Sequence, residues 1–129
     1  NDSTAAFTRP DGTADTLVIR SYAPAYKVYT ALISQTGTSA PTATELENAL
    51  GGAVTFSYAG TGVYTVNCTG CFPVNKTVLF TQVGINYNNT FSAYRSSDDT
   101  VTLNTYYPSF DILNDGILNK STIEIRVYY

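Results

Sequence analysis

The chain has 129 residues, a net charge of -3 and only 13% charged residues, which bounds it at one domain and leaves no basic patch to neutralise phosphates, so nucleic acid is not an expected partner. Its apolar runs, such as Val78-Leu79-Phe80, fall far short of the ~20 residues a membrane-spanning helix needs, and no membrane insertion is expected. His, Met and Trp are absent while Tyr reaches 11, which removes the commonest general base and metal ligand and with them the usual hydrolytic triads. The missing initiator methionine and the polar start Asn1-Asp2-Ser3-Thr4 read as a processed product or as part of a longer polypeptide.

Residues 1–15 are rich in Thr, Asp, Ala and Gly and read as an extended amino-terminal arm or linker, with Arg9-Pro10-Asp11-Gly12 as a turn. From residue 16 to 129 the pattern is that of one β-domain. Leu17-Val18-Ile19 is a short β-branched run. In Tyr26–Ser34, Tyr26, Val28, Thr30 and Leu32 alternate with Lys27, Tyr29, Ala31 and Ile33, so both faces carry apolar residues and the strand is expected to be central or covered on both sides. Thr42–Leu50 reads as one short helix, with Thr42 and Glu45 as a capping box and Leu46, Ala49 and Leu50 on one face. Ala53–Tyr58 and Val63–Cys68, joined by Ala59-Gly60-Thr61-Gly62, make a hairpin. Further strands are predicted at Lys76–Val83, Thr90–Tyr94, Val101–Tyr106 and Thr122–Tyr128, with turns at Ser96-Ser97-Asp98-Asp99 and Asn114-Asp115-Gly116. The expected fold is all-β: an antiparallel β-sandwich or jelly-roll-like domain of seven or eight strands with one short helix.

Few residues carry chemistry. The C-x-x-C pair Cys68 and Cys71 could be a redox site, half a zinc site or an incidental pair. Zinc fails for want of further ligands, and Pro73 with β-flanks is unlike a thioredoxin site, which leaves two small buried hydrophobes or a local disulfide if the Cα atoms lie within about 7 Å. Asp98-Asp99 and Asp111 with Asp115 are the paired carboxylates to weigh for glycosidase chemistry, and Asp111-x-x-Asn114-Asp115 for Ca²⁺ without the spacing of an EF-hand loop, but both pairs sit in turn sequences, where Asp bonds its own backbone. No catalytic residue, metal or cofactor is expected. Tyrosines and amides near loops, namely Tyr87, Asn88, Asn89, Tyr94, Tyr106 and Tyr107, are the candidate binding residues, because Tyr offers a rigid apolar face with one polar handle. The N-x-S/T tripeptides at Asn1, Asn67, Asn75, Asn88 and Asn119 read as chance in a chain rich in Asn, Ser and Thr.

The run Tyr26-Lys27-Val28-Tyr29-Thr30-Ala31-Leu32-Ile33-Ser34-Gln35-Thr36-Gly37, then Ala40-Pro41 and Leu46-Glu47-Asn48-Ala49-Leu50-Gly51-Gly52, resembles a β-rich virion-associated domain of Bacteroidetes tailed phages, crAss-like phages included, and of related prophage genes. Val63-Tyr64-Thr65-Val66, Gly70-Cys71-Phe72 and Ile123-Glu124-Ile125-Arg126-Val127-Tyr128 share that resemblance, which covers about residues 26–83 and the last strand. The cysteine pair departs from it. The resemblance implies a non-enzymatic structural or adhesive module of a virion, in a tail fibre, head fibre or capsid decoration, that forms a homo-oligomer with a trimer favoured. Other virion proteins and a host-surface glycan are the further partners it implies. The alternative is a secreted or cell-surface bacterial protein that forms extracellular filaments or binds glycans, its arm adding a strand to a neighbour.

Overall fold

A computed structural model describes residues 3–19, 23–85, 88–107 and 112–129. The strands are β1 (Ser3–Thr8), β2 (Ala14–Ile19), β3 (Tyr26–Ser34), β4 (Thr42–Asn48), β5 (Thr55–Gly60), β6 (Val63–Asn67), β7 (Thr77–Gln82), β8 (Thr90–Arg95), β9 (Thr100–Tyr107), β10 (Ile112–Leu113) and β11 (Ser121–Tyr128). Every pairing is antiparallel, and no helix occurs among the described residues.

Period-two alternation places the core. A four-stranded sheet in the order β4-β3-β11-β7 turns Tyr29, Ala31, Ile33, Ile123, Ile125 and Val127 inward. A five-stranded sheet built around β9 turns Tyr64, Val66, Phe91, Val101 and Leu103 into the same buried cluster. β9 pairs with β6 along one edge and β8 along the other; Tyr106 is paired with both Thr90 and Leu113, so β10 lies opposite β8 and prolongs the line of β6. Hairpins β3–β4, β5–β6 and β8–β9 stay within a sheet, while the other links between β4 and β11, except β9 to β10, cross from one sheet to the other. The alternation of Tyr26–Ser34 thus resolves into a buried half and a half-exposed half, on a strand flanked by β4 and β11.

Two expectations need correction. The segment Thr42–Leu50 is not a helix: its residues through Asn48 form edge strand β4. A helix of one or two turns is a costly nucleus in isolation, whereas the free edge of β3 offers a ladder of backbone partners, so pairing overrides propensity. Thr42 Oγ1 donates to the Ser34 carbonyl at 3.2 Å instead of capping a helix, the register shifts between Thr30 and Ala31, and Leu46 is 60% exposed. The strand count is also higher, eleven among the described residues, because β1, β4 and the short β10 join the expected set.

The amino-terminal residues form a hairpin that crosses the expected boundary at residue 15: β1 pairs with β2 from Ser3↔Ile19 to Thr8↔Ala14. The turn is set by Asp11, whose carboxylate accepts from the Thr13 hydroxyl at 2.6 Å and the Thr13 N–H at 2.9 Å, bonds that hold it below the ordinary carboxylate range. This hairpin belongs to neither larger sheet and leaves Phe7, Leu17 and Val18 exposed.

Gly62 marks the tightest packing of the β5–β6 turn. Its φ is +64°, and a Cβ there would come within 2.7 Å of the Thr105 carbonyl oxygen and 3.0 Å of the Leu113 carbonyl carbon. Gly62→Ala is therefore expected to lower stability by more than about 2 kcal/mol in urea denaturation; a change within about 0.5 kcal/mol contradicts the close approach of β10 to this turn.

Candidate functional site

The outward side chains of the five-stranded sheet form a polar face free of carboxylates and cations among the described residues. Register places them in rows across the strands: Thr55, Asn67 and Thr100; Ser57, Thr65, Thr102 and Tyr94; Val63, Asn104 and Ser92; Leu113, Tyr106 and Thr90. Asn67 knits the first two rows together. Its Nδ2 donates to Ser57 Oγ at 3.3 Å and Thr65 Oγ1 at 3.2 Å, and its Oδ1 accepts from Thr100 Oγ1 at 3.5 Å. At the end of the first row a depression of about 210 Å³ is lined by Ala53, Thr55, Asn67, Thr69, Asp99 and Thr100.

Of the candidate binding residues, Tyr94 and Tyr106 share this face, and Tyr94 is 52% exposed. Tyr107 lies on the opposite parity of β9. Asn88 and Asn89 sit just before β8, and Tyr87 lies outside the described residues. The Ser, Thr and Asn rows were not singled out from sequence. Their signal was the polar half of the same alternation that identified the strands.

The outward side of the four-stranded sheet is different in kind. There Tyr26, Val28, Leu32, Val78, Phe80 and Tyr128 share a face with the Arg126–Glu124 ion pair and with Thr30, Thr122, Gln82, Thr44 and Glu47. The Arg126 guanidinium carbon lies 4.8 Å from the ring centroids of both Tyr26 and Phe80, and Tyr26 and Tyr128 are 5.3 Å apart by centroid.

The carboxylates weighed for catalysis are tied into structure. Asp98 pairs with Arg95. Asp99 Oδ1 accepts the Gly70 N–H at 2.6 Å. Asp115 accepts from Tyr58 Oη at 3.0 Å, Tyr64 Oη at 3.0 Å and the Gly62 N–H at 2.7 Å. Asp111 lies outside the described residues. Among the described residues there is no group of three or more His, Cys, Asp or Glu side chains that could hold a metal, and no helix long and apolar enough to cross a membrane.

Tyr64, wholly buried, has one proton for two acceptors, Asp115 Oδ1 and Gln35 Oε1, each 3.0 Å away. Gln35 Oε1 also accepts the Gly116 N–H at 2.7 Å, and its Nε2 donates to the Gly37 and Ser39 carbonyls. Gln35 also lines a depression of about 420 Å³ with Ser34, Ser39, Thr42 and Asn119, but both ends of its amide are already committed.

Cys68 and Cys71 are joined in a disulfide with Cα atoms 5.4 Å apart. The bridge clamps the β6–β7 loop, which also docks on the β8–β9 turn through Cys68 N–H to Asp99 O at 2.9 Å and Phe72 N–H to Asp98 O at 2.8 Å. Gly52 lies against it: a Cβ there would come 2.8 Å from the Cys68 sulfur.

No protein family, curated protein or solved structure matches this chain.

Reducing the disulfide reopens a short loop and is expected to cost about 2 kcal/mol, read as a lower urea midpoint with reductant present. An unchanged midpoint, with thiol release verified, contradicts a stabilising bridge. Alkaline titration gives a second check. Burial, then the charge of Glu45, pushes Tyr29 up from 10.0 to about 12, and burial raises Tyr64 well above the usual phenol range. Since both are raised in the folded state, their contribution to stability is complete below pH 10 and is lost as pH climbs toward 12 and beyond. Tyrosinate absorbance should therefore show a late fraction that ionises together with loss of the circular dichroism signal. Titration of all eleven tyrosines near pH 10 with the fold intact contradicts this.

Proposed function

We propose that the two sheets pack face to face as a β-sandwich and that this sandwich is a non-enzymatic structural and adhesive module, a homo-oligomer displayed on a phage virion as part of a tail fibre, head fibre or capsid decoration. The observation that carries the reading is the outward face of the four-stranded sheet. Val78, Phe80 and Tyr128 are exposed there and Tyr26 and Val28 half-buried, an apolar and aromatic surface that flanks the Arg126–Glu124 ion pair, with Thr30, Thr122, Gln82 and Glu47 completing the face, and it suits burial against further copies. A trimer is favoured by the habit of fibres. The engagement of Asp98, Asp99 and Asp115 in structural bonds supports a non-enzymatic role, and the resemblance of residues 26–83 and the last strand to virion-associated domains supplies the setting.

A second reading, a secreted or cell-surface protein of bacterial filaments, is favoured by the β1–β2 hairpin and by the disulfide, which suits an oxidising compartment. A lone two-stranded hairpin is marginal in water, and exposed Phe7 and Leu17 on one of its faces gain from a neighbour.

Light scattering on the intact chain tests the assembly. A discrete oligomer, trimer first, that dissociates on Phe80→Glu is the expected outcome. Open-ended polymers that persist in Phe80→Glu but vanish when residues 1–19 are deleted support the filament reading, and a monomer at high micromolar concentration contradicts both.

A further inference from the structure

We infer that the outward face of the five-stranded sheet is a recognition surface for an uncharged glycan lying across β5, β6, β9 and β8. This deepens the adhesive half of the function proposed above and does not depend on the assembly half.

Three observations carry it. First, the face is rich in hydroxyls and amides: Thr55, Ser57, Thr65, Asn67, Thr100, Asn104, Thr90 and Ser92 are set there by strand register, around a Thr102 that is buried and paired with Ser96 Oγ. Ser and Thr hydroxyls both donate and accept, and an amide does so through its two ends, which is the bonding inventory of a sugar's own hydroxyls. Second, none of the described residues in those rows is a cation or a carboxylate, so an anionic ligand finds no counter-charge and a neutral one desolvates no buried charge. Asp99, which lines the depression at the end of the first row, already accepts the Gly70 N–H at 2.6 Å, and Arg95 is spent on Asp98 and the Phe72 carbonyl. Third, Tyr94 closes the row Ser57, Thr65, Thr102, and Tyr106 lies two rows away on the same side. A tyrosine ring presents a rigid apolar surface to the C–H face of a pyranose at low entropic cost.

The dimensions suit a chain of sugars better than a single one. Strands in a sheet are about 4.8 Å apart, so a row from β5 to β8 spans about 14 Å, a short run of extended pyranose rings. The Asn67 network and the Ser96–Thr102 hydroxyl pair hold the rows in place before any ligand arrives. An apolar protein partner fits less well, since Val63 and Leu113 are the only aliphatic side chains in these rows.

The intact chain, displayed multivalently, is probed against an array of neutral gluco-, manno- and galacto-oligosaccharides beside their uronic-acid and sialylated counterparts. The affinity for a retained neutral oligosaccharide is then measured by calorimetry for wild type, Tyr94→Ala, Ser57→Lys and Phe80→Glu. Tyr94 and Ser57 are exposed, so both variants are expected to keep the wild-type circular dichroism spectrum. Retention of neutral glycans, with affinity lowered about tenfold or more in Tyr94→Ala and Ser57→Lys and unchanged per subunit in Phe80→Glu, supports the inference. Retention of anionic glycans alone, retention of none, or affinity indifferent to Tyr94→Ala and Ser57→Lys overturns it. A discrete oligomer that binds no neutral glycan removes this inference and leaves the assembly reading, whereas a monomer that binds one does the reverse.

Discussion

A hydroxyl sealed inside an apolar core must be hydrogen-bonded or it destabilises the fold by about 1–3 kcal/mol, and Tyr64 imposes that condition on this protein. Its ring lies in the buried cluster to which both sheets contribute, and its hydroxyl meets Gln35, beyond the end of β3, and Asp115, in the loop before β11, at the same point. Asp115 in turn holds the Tyr58 hydroxyl and the Gly62 N–H, so both strands of the β5–β6 hairpin and its turn join the network. Gln35 holds the Gly116 N–H, and Gly116 precedes Ile117 and Leu118, both buried. One phenol thereby couples the chain crossing that enters β11 to the edge hairpin of the other sheet. Asp115, one of the carboxylates weighed for chemistry, is consumed in doing so.

With the sheets fixed, the outward residues are sorted by the same alternation that built the core. One sheet shows water a mixed surface in which aromatic and aliphatic side chains flank the Arg126–Glu124 pair, the other a lattice of hydroxyls and amides. The function proposed above assigns the first surface to further copies of the chain and the second to a ligand.

Much of this was legible in the sequence because strand patterning is local. Tyr26–Ser34, Val63–Asn67 and Ser121–Tyr128 each declare their buried side through period two, and turn residues such as Asn114-Asp115-Gly116 punctuate them. What was illegible depended on distant partners. Thr42–Asn48 has helix-forming residues and became a strand because the β3 edge needed one. Cys68 and Cys71 left a bridge open as one of several readings until the loop geometry brought their Cα atoms to 5.4 Å. The partnership of Tyr64 with Gln35 and Asp115 spans 29 and 51 residues of sequence, which no window on the chain can join. The polar rows of the candidate face were visible as individual Thr, Ser and Asn residues, but their alignment is a property of register.

A double-mutant cycle on Tyr64→Phe and Asp115→Ala, read by urea denaturation, tests most directly whether this buried network holds the molecule together. Each single substitution is expected to cost about 1–3 kcal/mol, and the double variant to lose less than their sum by about 1 kcal/mol or more, because removing either partner already breaks the shared bond. Additivity within about 0.5 kcal/mol contradicts a coupled network and leaves Tyr64 as an apolar filler whose hydroxyl is satisfied elsewhere.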